Sequence, residues 1–266
     1  MRGKIEWTTD RTVETCGISI PVAQTLRVES DTGAGASQAF GGVRPEPMWR
    51  CWLKLFVWPL AIVRERVLYL GHGFLHRMFA QRIRALQDEN TVFLEVGCGD
   101  PRLRHALRGD LVYNGLDFAF SLFQLWRFKN NPRVNLCMGS MTDLPVKDKS
   151  VSIIACVEVL TQIEDLERVL AEMKRVLRAG GTVLVTASNG HSRKFAARGP
   201  APFTKQFFTF DSLGAAFEKA GFKVRQRRML GKWIQLPRWF SAAPMQLPIT
   251  SKDERDNNYF VYELEA

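Results

Sequence analysis

Residues 93–103, FLEVGCGDPRL, set an acid and two glycines at the end of an apolar run. Such a run closing on Gly97 and Gly99 describes a buried strand followed by a sharp turn. Glycine enters left-handed backbone without a Cβ clash and lets the main chain come close to a ligand. A nucleotide-like cofactor is what a loop of this kind ordinarily holds. Asp117 ends the next apolar stretch, LVYNGLD. A carboxylate there can accept hydrogen bonds from both hydroxyls of a ribose. Asp100 suits a helix cap and Pro101 the first helical turn. A nicotinamide cofactor asks for G-x-G-x-x-G, but the sixth position is Arg102, which weakens that reading.

Two other side chains are candidates for moving a proton. Glu158 follows the apolar run VSIIACV, and His191 lies in SNGHSRKF. Against these stand plainer readings, a surface carboxylate and an exposed loop imidazole. His105 follows a helix start and reads as structural. Phe203, Phe207, Phe208 and Phe210 wall either a substrate pocket or the core. The five cysteines (Cys16, Cys51, Cys98, Cys137 and Cys156) are odd in number and lack C-x-x-C spacing. That pattern implies no disulfide framework and no metal site, and a reducing, cytoplasmic setting.

The elements that must hold these groups alternate. TVFLEV, LVYNGLD, VNLCM, VSIIACV and TVLVTAS read as strands, and KVRQRRML and NNYFVYELE as later ones. FAFSLFQLWRF reads as a helix between the second and third strands. EDLERVLAEMKRVLRAGG carries Leu166, Val169, Leu170, Met173, Val176 and Leu177 at helical spacing and closes on Gly180–Gly181. FDSLGAAFEKAGF predicts a helix capped by Asp211 or Ser212. Alternation of this kind predicts an α/β fold with a doubly wound, mostly parallel Rossmann-like sheet.

Ahead of it, residues 46–88 read as a basic, apolar helical extension, and residues 1–45 as a flexible or weakly ordered segment. The chain has 266 residues with 46% hydrophobic and 24% charged content, the balance of a globular protein. Its longest apolar run, Leu55–Val63, holds Pro59 and falls well short of the roughly 20 residues a spanning helix needs. Residues 89–266 are left as the principal domain.

The net charge of +10 favours an anionic partner: nucleic acid, an acidic substrate or an anionic membrane surface. Trp49, Trp52 and Trp58 are interleaved with Arg50, Lys54, Arg64 and Arg66; Trp233 and Trp239 with Arg225, Arg227, Arg228, Lys232 and Arg238. Tryptophan beside cations suits a lipid headgroup region, and it equally suits a helical lid laid on the sheet.

Taken in order, LEVGCG, GLD, GSMTDLPVKDKSVSIIACVEVLTQIED and EMKRVLRAGGTVLV resemble the class I S-adenosylmethionine-dependent methyltransferases, in their small-molecule, methyltransferase type 11-like branch. The resemblance spans roughly residues 90–190. It implies S-adenosyl-L-methionine as cofactor, with Glu95, Gly97 and Gly99 near its methionyl part and Asp117 on the ribose. Ser140 and Met141 would flank the adenine, and Cys156, Val157 and Glu158 would line the floor. The sequence departs from the family at Pro101, where a third glycine is usual. It also departs at Ser140, often an acid, and at Gln162, often a histidine. Nucleic-acid amino-methylation motifs are absent after the fourth strand, and no cysteine has a proline neighbour. The implied reaction is methyl transfer to a small, lipophilic acceptor. The alternatives are a non-catalytic cofactor-binding protein of the same fold and a nucleic-acid methyltransferase.

Overall fold

The structure is a computed structural model that describes residues 3–9, 11–15, 18–23, 73–107, 111–120, 128, 130–200, 203–234 and 245–266. Ten strands form one sheet: β1 (Arg11–Thr15), β2 (Ile18–Val22), β3 (Phe93–Val96), β4 (Tyr113–Asp117), β5 (Val134–Met138), β6 (Val151–Val157), β7 (Leu177–Ser188), β8 (Lys223–Ile234), β9 (Met245–Leu247) and β10 (Asn257–Glu265). Their spatial order is β1-β2-β5-β4-β3-β6-β7-β10-β8-β9. From β2 to β7 every neighbouring pair is parallel, and the flanks at β1 and at β10-β8-β9 are antiparallel. The expected α/β, doubly wound sheet is therefore present. The chain runs outward from β3 through β4 to β5, then returns to β6 on the other side of β3. A sheet of this kind binds ligands at that reversal, beyond the carboxyl ends of the strands.

Parallel strands with helices on both faces are buried and largely apolar, and β3 and β4 are buried at every position. On one face the helices Leu166–Val176 and Phe210–Lys219 cover Leu94, Val96, Ile154, Val183 and Phe260. On the other, a helix over residues 73–86 packs Leu75, Phe79 and Ile83 against Phe93, Tyr113 and Tyr259. Among the described residues no helix is long and apolar enough to cross a membrane.

Several expectations are corrected. Within residues 1–45, read as weakly ordered, β1 and β2 form a hairpin whose Val22 pairs with Met138 of β5. Two buried asparagines hold the chain before it. Asn114 Oδ1 accepts from the Ile5 N–H at 2.9 Å, and Asn135 Nδ2 donates to the Ile5 carbonyl at 2.9 Å. Burying an amide costs free energy unless it is hydrogen-bonded, and the segment supplies the partners. The helix from Leu166 ends at Val176, before the glycines. Leu177 already pairs with Val151, so pairing wins over helical periodicity. The helix from Phe210 is capped by Thr209, not by Asp211 or Ser212. Thr209 accepts from the Ser212 N–H at 3.0 Å, and Ser212 returns the bond. Arg225 and Arg227, read as cations interleaved with Trp233 and Trp239, pair with Glu265 and Asp211. Residues 24–72, the 121–127 stretch and Trp239 lie outside the described residues, as does the side chain of Trp233, so the expected extension is seen only from residue 73.

Candidate cofactor and acceptor site

Strand β3 delivers Gly97 with φ +68° and Gly99 with φ +48°, left-handed backbone that other residues adopt at a cost. A Cβ on Gly97 would stand 2.6 Å from Val159 Cγ2, so the loop after β3 lies directly against the loop after β6. Gly99 faces open space: a Cβ there would meet only Asp117 Oδ2, at 4.0 Å. Gly97 and Cys98 donate to the Leu116 carbonyl at 2.8 and 3.1 Å, which fastens the turn to β4.

Asp117 ends β4 and is 8% exposed. Its Oδ2 accepts from the Gly99 N–H at 2.7 Å and its Oδ1 from the Ala119 N–H at 3.2 Å. A carboxylate can accept from more than one donor at once, which is what the hydroxyls of a ribose require. Phe118, next in the chain, is 40% exposed, an aromatic face beside the carboxylate. The reading of the sequence passed over it; its position directly after the acid was the available signal.

The expected helix start at Pro101 shifts by one residue. The helix covers Arg102–Ala106, with Pro101 (φ −69°) in the cap position and no side-chain cap. Asp100 therefore does not cap it. The Asp100 carbonyl accepts from the Arg102 N–H at 2.6 Å, and its carboxylate lies 3.7 Å from Arg102 Nε.

Glu95 is 2% exposed on the face of β3 that carries Phe93, and its carboxylate accepts from the Tyr113 hydroxyl. Burial pushes the Glu95 carboxyl up to about 8, against the downward pull of that hydrogen bond; Asp117 and Asp100 push it further up. The Tyr113 hydroxyl and the Cys98 thiol are held well above their ordinary values, again chiefly by burial. Glu95 is thus buried, paired with Tyr113 and close to Cys98 of the loop. Tyr113, which the sequence did not single out as functional, is its partner.

Ser140 and Met141 follow β5. The Ser140 hydroxyl shares a hydrogen bond with Thr142 Oγ1 at 2.6 Å and accepts from the Thr142 N–H at 3.1 Å. Met141 is buried in the core with Leu116 and Leu144. Glu172 Oε2 accepts from the Leu144 N–H at 2.7 Å and anchors this turn to the helix from Leu166.

At the end of β6, Cys156 is buried and Val157 is half-buried and pairs with Thr186; Glu158, the next residue, has φ +58°. The Glu158 N–H donates to the Thr186 carbonyl and to Thr186 Oγ1, each at 3.1 Å. Its Oε2 accepts from the Ser188 hydroxyl, while its Oε1 is buried with no hydrogen-bond partner. Burial raises the Glu158 carboxyl, and Ser188 and Lys194 oppose that rise. Gln162 turns its amide to the Glu158 carbonyl at 3.3 Å.

His191 is exposed in the turn after β7, where its N–H donates to Asn189 Oδ1 at 2.9 Å; no hydrogen bond joins its ring to Glu158. The phenylalanines divide: Phe208 and Phe210 pack in the core, whereas Phe203 and Phe207 are 61% and 51% exposed. Phe207 meets Phe195 edge-on at 5.1 Å.

Residues 94–185 match the methyltransferase domain family. A probable S-adenosylmethionine-dependent methyltransferase of Mycolicibacterium smegmatis is 30% identical over 170 residues, 61% of this chain and 62% of that protein. The aligned part thus spans less than two thirds of that relative. A solved S-adenosylmethionine-dependent methyltransferase of Thermotoga maritima superposes with a TM-score of 0.52 at 20% identity, over 77% of this chain and 95% of the other. Geranyl diphosphate C-methyltransferase of Streptomyces coelicolor, solved with Mg2+, geranyl diphosphate and S-adenosyl-L-homocysteine, superposes with a TM-score of 0.52 at 13% identity, over 73% of this chain and 79% of the other. Those superpositions show the shared fold.

Proposed function

We propose that this chain is a class I S-adenosylmethionine-dependent methyltransferase that transfers a methyl group to a small, lipophilic acceptor. One observation carries the cofactor assignment. The Gly99 N–H and the Asp117 carboxylate meet at 2.7 Å beside the sheet's reversal, with open space at Gly99 Cα. The residues present therefore fit S-adenosyl-L-methionine. Gly97 and Gly99 would take the methionyl part and Asp117 the ribose, with Phe118 and the Ser140–Met141 turn beside the adenine. When bound, that group supplies a methyl on a positively charged sulfur.

What the chain contributes is binding, orientation and exclusion of water, which supply much of the rate in a transfer of this kind. The buried pair of Glu95 and Tyr113 lies close to Cys98 of the loop. The half-buried Val157 and the loop from Val159 lie on the acceptor side. A lipophilic acceptor is supported by the exposed rings of Phe203 and Phe207, the latter braced by Phe195. The reading extends to contact between the segment bearing Trp49, Trp52 and Trp58 and an anionic bilayer, supported by the arginines and lysine interleaved with them.

Calorimetric titration with S-adenosyl-L-homocysteine tests the assignment. Asp117→Ala removes an acceptor of charge-assisted hydrogen bonds worth about 1.5–3 kcal/mol each, so binding should weaken by roughly tenfold or more. An unchanged dissociation constant in a folded variant refutes the ribose role, and no binding by the wild type refutes the reading as a whole.

A further inference from the structure

Glu158 combines three features that folding alone does not call for. Among the described non-glycine residues only Lys149 and Glu158 have positive φ. Left-handed backbone at a side-chain-bearing residue persists only where the surroundings hold it, and such residues cluster at ligand sites. Here the hold is visible: two bonds from the Glu158 N–H to Thr186, and one from Ser188 to Oε2. Together they fix the carboxylate with its other oxygen, Oε1, shut away from water and without a donor. A buried carboxylate oxygen without a donor is costly to the fold, and a bound donor would remove that cost.

The surroundings describe what would bring the donor. In the antiparallel pairing of β7 with β10, Ser188 stands directly opposite Tyr259, so both side chains rise from the same face of the sheet. The Lys194 ammonium lies 5.5 Å from the centre of the Tyr259 ring and is near enough to Glu158 to favour its ionised form. Tyr259 is itself fully buried and also meets Phe74, at the start of the helix over residues 73–86, with ring centres 6.1 Å apart. A carboxylate and a cation thus lie next to the loop that touches Gly97.

We propose that Glu158 Oε1, with Lys194 beside it, receives the hydroxyl of an acceptor. A hydroxyl suits both neighbours, because its O–H donates to the carboxylate while its oxygen can accept from an ammonium. An alkylammonium would satisfy Oε1 but would place a second cation beside Lys194. The proposal rests on the methyltransferase reading for the word acceptor, but the binding it describes is measured separately.

Three probes of similar shape are titrated into the wild type, with and without saturating S-adenosyl-L-homocysteine: 4-butylphenol, butylbenzene and 4-butylbenzylamine. The phenol should bind roughly tenfold more tightly than butylbenzene, the size of one hydrogen bond to a charged group, and more tightly than the amine. In Glu158→Ala the phenol's advantage should fall to about twofold or less. Glu158→Gln, which keeps an acceptor for Ser188, should fall between the two. A merely structural role would lower the melting temperature but leave the ratio of phenol to butylbenzene affinity intact. The proposal is overturned if wild type treats phenol and butylbenzene alike or binds neither, if the amine binds best, or if the preference survives Glu158→Ala. Failure to bind S-adenosyl-L-homocysteine, with the phenol preference present, would instead remove the methyltransferase reading and leave the hydroxyl site standing.

Discussion

Glu95 makes the stability of this fold depend on pH in a direction opposite to that of most carboxylates. Its folded-state value is about 8 against an ordinary 4.5, because burial outweighs the hydrogen bond from Tyr113. Below pH 4.5 the side chain is protonated whether or not the chain is folded. Between 4.5 and 8 the folded protein keeps a proton that the unfolded chain has released, so unfolding becomes easier as pH rises. Above 8 both states are ionised and the loss stops growing. At about 1.4 kcal/mol per unit, the rise from pH 5 to pH 8 should remove roughly 4 kcal/mol. Glu95→Gln abolishes this dependence, since glutamine stays neutral and still offers an oxygen to the Tyr113 hydroxyl. Its extra N–H adds a cost, but one that does not change with pH. Urea unfolding of both proteins at pH 5, 6, 7 and 8 isolates the effect, because every other titrating group is common to the two. The variant should gain about 4 kcal/mol relative to wild type between pH 5 and pH 8. A difference that stays constant within about 1 kcal/mol over that range would refute the reasoning, and would mean that the buried carboxyl titrates as an exposed one does.

Two further outcomes follow from the loop and the basic segments. Gly97→Ala combines left-handed backbone, about 1–2 kcal/mol, with a Cβ placed 2.6 Å from Val159 Cγ2, about 1–3 kcal/mol of overpacking. Chemical denaturation should show both losses, and Gly97→Ala/Val159→Ala should relieve only part of the second, because the Val159 Cβ would still stand 2.9 Å away; a loss under about 1 kcal/mol in the single variant would show that the loop yields freely. Wild type should sediment with anionic but not neutral vesicles, less so as salt rises, and Trp52→Ala/Trp58→Ala should weaken this. Protein that stays in the supernatant with both vesicle types at low salt would make the segment a lid alone.

Much of this architecture is legible because the chemistry of parallel strands is written locally. β3 and β6 are apolar runs followed by turn residues, and a strand buried on both faces has no other way to be composed. The residue types at or after the carboxyl ends of β3, β4 and β6, namely Gly97, Gly99, Asp117 and Glu158, could be picked out for the same reason. What stayed hidden depends on partners far away in the chain. The hairpin of β1 and β2 is short, and its place is fixed by Val22 against Met138 and by Asn114 and Asn135 reaching residues 3–7. Those asparagines were the overlooked signal, since a polar amide inside a buried strand must find a donor or acceptor. The end of the helix at Val176 could not be read from spacing either, because Leu177 fits a helix face and a strand equally well until Val151 pairs with it.

The candidate acceptor site is the extreme case. Tyr259 meets Ser188 through the register of β10, and Phe74 meets Tyr259 through a helix that precedes β3. No window of sequence contains more than one of those three. The bent backbone at Glu158 is likewise a property of the assembled sheet: Thr186, on a neighbouring strand, holds it. Local composition therefore specifies which groups stand at the crest. Register decides which of them face one another.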